Sequence, residues 1–240
     1  LAACGESAST PPVDVTELPP APRVDARFDP RVAVVPSRTP PALSGGTLAI
    51  TPSGEVVASD PDRDQVYLID LGASRVDTVA LSEFDEPGRL IANREAIYVA
   101  LRGADAVARI DLRTHELVRT QVCSAPRGLT FRGASAVLVA CADGQLVTLG
   151  LDGVETGRTF VADDLRDVGS EGDGIWVSRY RSAELLHLDA NLAIVRRERP
   201  VDFTTSSFDA AGEPSLTSAT LAARTVTGPE GRPLMLHQRE

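Results

Sequence analysis

Residues 97–122 read IYVALRGADAVARIDLRTHELVRTQV, and the rhythm of apolar and polar residues in this stretch decides the architecture. It opens on an apolar strand and passes a polar turn. A second strand ends in Ile110-Asp111, the chain turns tightly, and a third strand follows. Each run is short and bounded by Gly, Asp or Thr, the pattern of strands and tight turns. Helical 3.6-residue periodicity is sustained nowhere over three turns, so the sequence reads as all-β.

The same text recurs at Val56, Val137 and Ile175, so the four starts are spaced 41, 40 and 38 residues apart. Asp70, Asp111 and Asp189 hold one place in the repeat, and Gly150 takes it in the third. One more short strand precedes each copy: Thr47–Ile50, Gly88–Ile91, Arg127–Phe131 and Leu165–Val168. Four strands in a unit of about 40 residues is the blade period of a β-propeller. The expected fold is therefore an all-β propeller with four to five four-stranded antiparallel blades in an incomplete ring. Residues 45–203 supply four blades and 204–240 a partial fifth, with SLTSATLAARTVTG and RPLMLHQRE as its middle strands. Bare terminal blade faces should then be more exposed than the middle ones.

The second repeat with its flanks resembles the YVTN family of propeller repeats. The matching features are Tyr98-Val99, the Val-x-x-Ile-Asp at 107–111, the Thr114 turn, and Ala125-Pro126-Arg127-Gly128 opening the next blade. The resemblance spans roughly residues 45–203 and implies a fold, while one propeller scaffold hosts many functions. It also implies a reading as part of a larger enzyme, because secreted YVTN-like propellers occur joined to C-terminal c-type haem domains similar to di-haem cytochrome c peroxidases, which would place the chemistry beyond residue 240.

Leu1-Ala2-Ala3-Cys4 resembles the lipobox of bacterial lipoproteins, in which the cysteine is acylated after signal-peptide cleavage; residues 1–4 are read as its remnant. Two or more acyl chains, at roughly 0.8 kcal/mol per buried methylene, anchor a protein stably to a bilayer. Residues 5–44 are rich in Pro, Ser, Thr and Asp, the composition of an extended tether. Within it, residues 31–35 (Arg31 to Val35) are a candidate closing strand for the ring. The expected location is the bacterial envelope, periplasmic or surface-exposed, with contact to the bilayer through Cys4 alone. The sequence is expected to begin inside a signal peptide and to stop short of the protein's C-terminal part.

Thirty-four acidic residues against 24 basic ones give a formal charge of −10, which disfavours nucleic acid as a partner. Every basic residue is arginine. Aromatic residues are 4% of the chain, so aliphatic side chains must fill the core. Without lysine no phosphate-cradling Gly-Lys-Ser/Thr loop exists, and no Gly-x-Ser-x-Gly elbow occurs.

The three cysteines are Cys4, Cys123 and Cys141. In an oxidising envelope the latter two are a candidate disulfide; two small buried residues or a reactive thiolate are the other readings. His115, His187 and His237 lack metal-ligand spacing, and there is no C-x-x-C-H. Asp60, Asp62 and Asp64 begin like a calcium loop, but Gln65 stands where Gly is needed and Leu71 where Glu is needed. A solvated acidic turn accounts for them. Asp163, Asp164 and Asp167 lead into an inner strand and so have a weak claim to a channel site. Arg179, Tyr180 and Arg181 follow the sole tryptophan, Trp176, and could recognise an anion or a partner carboxylate. An exposed turn between strands is the favoured reading of them.

No catalytic residue, cofactor or metal site is assigned within this segment. The functional expectation is an envelope-tethered, non-catalytic module that binds an unknown envelope protein or ligand. The alternatives are the propeller portion of a redox enzyme with a downstream haem domain, or a propeller hydrolase or lactonase.

Overall fold

The computed structural model describes residues 46–171, 174–208, 214–228 and 231–240. Cys4, the tether and the candidate strand 31–35 lie outside the described residues. The first blade comprises β1 (Leu48–Ile50), β2 (Val56–Asp60), β3 (Gln65–Asp70) and β4 (Arg75–Ala80). The second comprises β5 (Pro87–Ala92), β6 (Ala96–Leu101), β7 (Ala106–Asp111) and β8 (Leu117–Gln121). The third holds β9 (Pro126–Arg132), β10 (Ala136–Cys141), β11 (Gln145–Gly150) and β12 (Glu155–Phe160). The fourth holds β13 (Leu165–Glu171), β14 (Gly174–Arg179), β15 (Leu185–Leu188) and β16 (Ile194–Glu198). Each is a four-stranded antiparallel sheet in sequence order, and no α-helix occurs among the described residues.

The recurring aspartate has a local cause. Asp70 Oδ1 accepts from the Ala73 amide at 2.9 Å, Asp111 Oδ1 from the Arg113 and Thr114 amides, and Asp189 Oδ1 from the Asn191 and Ala193 amides. A short carboxylate thus closes each turn between the third and fourth strands by satisfying its free amides. The third blade reaches the same end differently. Asp152 Oδ1 accepts from the Val154 amide, and a Cβ at Gly150 would lie 2.6 Å from that oxygen.

The joins between blades also repeat. The residue ending the second turn of a blade has positive φ: Asp64, Asp105 and Gly144. Its carbonyl accepts from the amide after the outer strand, at Leu81, Val122 and Val161. Asp64 then caps the next blade, accepting from Phe84 and Glu86, and Asp105 does so for Ala125. Asp64 thus stays in the turn where the sequence placed it and in addition acts as an inter-blade clamp.

Middle strands are apolar on both faces because neighbouring blades cover both. All six residues of β6 are buried, and Val137, Val139, Val147 and Leu149 of the third blade pack against Tyr98 and Ala100 of the second. Leu138, Leu146, Val177 and Leu186 form the next interface. The first blade is barer, since Leu48 and Ile50 of its inner strand are exposed while their counterparts Leu90 and Leu129 are buried. The fourth blade, covered by the segment after it, keeps Leu165, Ile175 and Val177 buried, against the expectation for a terminal blade.

Residues after 203 depart from the expected middle strands of a fifth blade. They form two separate two-stranded sheets, β17 (Phe203–Phe208) with β18 (Pro214–Thr217) and β19 (Ala219–Thr227) with β20 (Pro233–Arg239). β19 takes an inner position beside β13. The Ala222 amide donates to the Tyr180 carbonyl, and the Thr225 amide donates to Asp167 Oδ2 at 2.7 Å. A buried carboxylate on β13 with amide-accepting capacity holds the strand there.

Candidate functional site

The inner strands begin alike: Pro87-Gly88-Arg89-Leu90, Pro126-Arg127-Gly128-Leu129 and Leu165-Arg166-Asp167-Val168. In each, the pairing with the second strand slips at the second or third residue. Pro87 pairs Leu101 and Leu90 pairs Val99; Pro126 pairs Cys141 and Gly128 pairs Ala140; Leu165 pairs Arg179 and Val168 pairs Val177. A bulge of this kind inserts one residue and re-aims a side chain. Here it happens in three consecutive blades, at the residues that carry Arg89, Arg127, Arg166 and Asp167.

Asp167 is the centre of the resulting cluster, with its side chain 1% exposed. It is ion-paired with Arg89, and Arg224 Nη1 of β19 donates to Oδ1 at 2.9 Å. The Asp167 amide donates to Ser178 Oγ at 3.1 Å. Gly46, ahead of the first inner strand, has no room for a Cβ, which would lie 2.9 Å from both Arg224 Nη2 and Arg89 Cγ. Inner strands β5 and β13, the β19 strand and the entry to β1 thus converge on one carboxylate.

Arg89 lines a cavity on either side of this cluster. One, of about 330 Å³, is bounded also by Arg224, Thr225 and Trp176. The other, of about 180 Å³, is bounded by Arg89, Arg102, Arg127 and Arg166 together with Thr47 and Pro61, and no carboxylate lines it. Arg127 pairs with Asp164 at 3.0 Å, and Arg102 approaches Glu86 at 3.6 Å. Arg166 donates from Nη2 to the Ala223 carbonyl, while its Nε is buried with no hydrogen-bond partner. The guanidinium carbons of Arg166 and Arg127 lie 4.7 and 5.4 Å from the Tyr180 ring centre, in cation–π range. Burial, then repulsion from Arg224, Arg166, Arg127 and Arg102, pushes Arg89 down to about 8. Burial likewise lowers Arg166 and Arg224.

Of the six polar candidates read from the sequence, three belong to this site. Asp167 is its centre, Asp164 holds Arg127 and the Arg181 amide, and Tyr180 underlies two guanidiniums. The other three do not join it. The Asp163 side chain is exposed, and its carbonyl accepts from Arg179 Nε. Arg179 is bound to Glu184 at 2.8 Å, and the Arg181 side chain is 85% exposed. Sequence reasoning missed Arg89, Arg102, Arg127, Arg166 and Arg224. A signal existed in the aligned inner strands, where an arginine stands second or third in three successive blades.

Cys123 and Cys141 have Cα atoms 6.0 Å apart and sulfurs in contact, within the range a disulfide requires. With Asp143 they are the metal-like grouping found among the described residues. Asp143 already accepts from the Ser124 and Gln145 amides, and paired sulfurs offer no thiolate, so the set is poorly suited to an ion. A larger hollow of about 440 Å³ near Arg94, Arg109 and Arg113 also contains Glu95 and Asp111, which offset most of its positive charge.

No family model and no curated protein matches this sequence. Solved structures do. Virginiamycin B lyase from Staphylococcus aureus superposes with a TM-score of 0.59 at 10% identity, covering 82% of this chain and 72% of its own. The β-propeller domain of Cps50 (Swd1) from Myceliophteria thermophila gives 0.54 at 13% identity, covering 73% and 65%. BamB from Moraxella catarrhalis gives 0.51 at 17% identity, covering 63% of this chain and 49% of its own. At such identities the likeness establishes a β-propeller fold and carries no activity with it.

Proposed function

We propose that this chain is a binding module that receives an anionic group of a partner at the axial mouth formed by Arg102, Arg127 and Arg166 over Tyr180. One observation carries this reading: bulges in three consecutive inner strands turn arginines toward an axial cavity in a chain whose net charge is −10. Guanidiniums keep their protons at neutral pH, so such a site holds and orients negative charge and does not move protons. That chemistry favours binding over catalysis. Attachment to the bacterial envelope through acylated Cys4 is part of the same proposal, supported by the lipobox-like start and the Pro-rich segment after it.

The neighbours span a lyase, BamB and a propeller domain of Cps50, so the scaffold suits either role. The test is a photo-crosslinking residue at Tyr180 in intact cells, with Val76 on the outer strand as control. A discrete adduct at position 180, lost in Arg102→Glu with Arg127→Glu and absent at position 76, is expected. Equal crosslinking at both positions, or none at 180, overturns the reading.

A further inference from the structure

The 180 Å³ cavity is a site of stated chemistry: we propose that it binds a compact, multiply charged oxyanion, either a phosphoryl group or a di- or tricarboxylate. The inference rests on the binding-module reading and names what the mouth receives.

Charge is the first argument. Five guanidiniums, those of Arg89, Arg102, Arg127, Arg166 and Arg224, share three carboxylates, Asp164, Asp167 and Glu86. Asp167 serves two cations at once, and Arg166 pairs with no carboxylate among the described residues. The cluster is therefore short of negative charge by about two.

Geometry is the second. Arg89 lies on β5, Arg102 follows β6, Arg127 lies on β9 and Arg166 on β13, so three blades contribute to one cavity. Planar guanidinium forks match the spacing of phosphate and carboxylate oxygens, and donors from several directions suit an anion with several oxygens. Buried Arg166 Nε is a donor already in place without an acceptor. Leaving a buried donor unsatisfied is costly, and an oxyanion in the cavity would satisfy it.

Pre-organisation is the third. Asp164 holds Arg127, Tyr180 lies under Arg127 and Arg166, and Asp167 fixes Arg89. The cations are positioned before any anion arrives, which lowers the entropic cost of binding. Burial is the main cause that pushes Arg89 down, and the repulsion from neighbouring guanidiniums that adds to it would be relieved by the same anion. A long polyanion such as nucleic acid is disfavoured, because the positive charge sits in a pocket within an acidic chain.

Isothermal titration calorimetry on the 240-residue chain at fixed ionic strength tests this, with inorganic phosphate, pyrophosphate and citrate as probes and acetate as the monovalent control. One saturable site is expected, with acetate at least tenfold weaker than the best probe. Pyrophosphate or phosphate binding most tightly identifies a phosphoryl site, and citrate a polycarboxylate site. Arg102→Gln and Arg166→Gln should each weaken binding at least tenfold; Arg102 is half-exposed, so its variant should keep the fold, checked by circular dichroism. Arg113→Gln, in the separate hollow beside Glu95 and Asp111, should leave binding unchanged. Absence of saturable binding, or affinity unaltered in Arg102→Gln, overturns the oxyanion site. If the Tyr180 crosslink persists in that event, the module reading stands without it. Oxyanion binding without the crosslink would remove the partner and leave the site.

Discussion

Asp167 on the fourth inner strand accepts a hydrogen bond from Arg224 at 2.9 Å across 57 positions of sequence. This contact ties the final segment to the axis of the blades. Removing one member of a buried ion pair strands the other and typically costs about 3–5 kcal/mol. Asp167→Asn should therefore lower the free energy of unfolding by about that amount in denaturant melts. A loss within the error of the melt would show that Arg89 and Arg224 find water or other acceptors.

Gly128 sits where β9 packs tightly against β13. A Cβ there would lie 2.8 Å from the Val168 amide nitrogen and 3.0 Å from the Arg166 carbonyl oxygen, both backbone atoms. Gly128→Ala should destabilise by roughly 1–3 kcal/mol and loosen the arginine cluster. Gly157→Ala, with nothing within 4 Å of its Cβ, is the matched control and should be neutral or slightly stabilising. Equal midpoints for the two variants would contradict the close approach.

Cys123 ends the second blade and Cys141 ends a strand of the third, so a bond between them would staple that interface. With the partners 18 positions apart in sequence, its loss should cost roughly 3 kcal/mol in the chain-entropy picture. In a Cys4→Ala background, thiol titration of oxidised protein should find no free thiol, and reductant should lower the unfolding midpoint. Two titratable thiols in the oxidised native protein would exclude the staple.

Asp111 provides a pH prediction. Amide hydrogen bonds from Thr114 and Arg113 hold its carboxyl below the usual 3.8. A lowered folded value means the turn's contribution is fully present above the unfolded value and is lost as pH falls through the folded one. NMR titration should place Asp111 below an unstructured aspartate, and Asp111→Ala should flatten the acid limb of stability below about pH 4. An unshifted titration would mean the turn is not held by that carboxylate.

The four successive blades, their strand order and the turn aspartates were legible in the sequence because they are local. A strand, its turn and its returning partner lie within about ten residues of one another, and apolar alternation records which faces are covered. Asp70, Asp111 and Asp189 could be aligned from sequence because each acts on amides two to four positions away. The axial site was not legible in the same way. Asp167 was noticed for its place on an inner strand, but its partners Arg89 and Arg224 come from a different blade and from the irregular final segment. Bulges, which depend on how two strands pair, turned those side chains inward. An arginine on a surface turn and one in a charge-starved cavity are the same letter, and the difference between them lies in solvation and in neighbours that folding alone brings together.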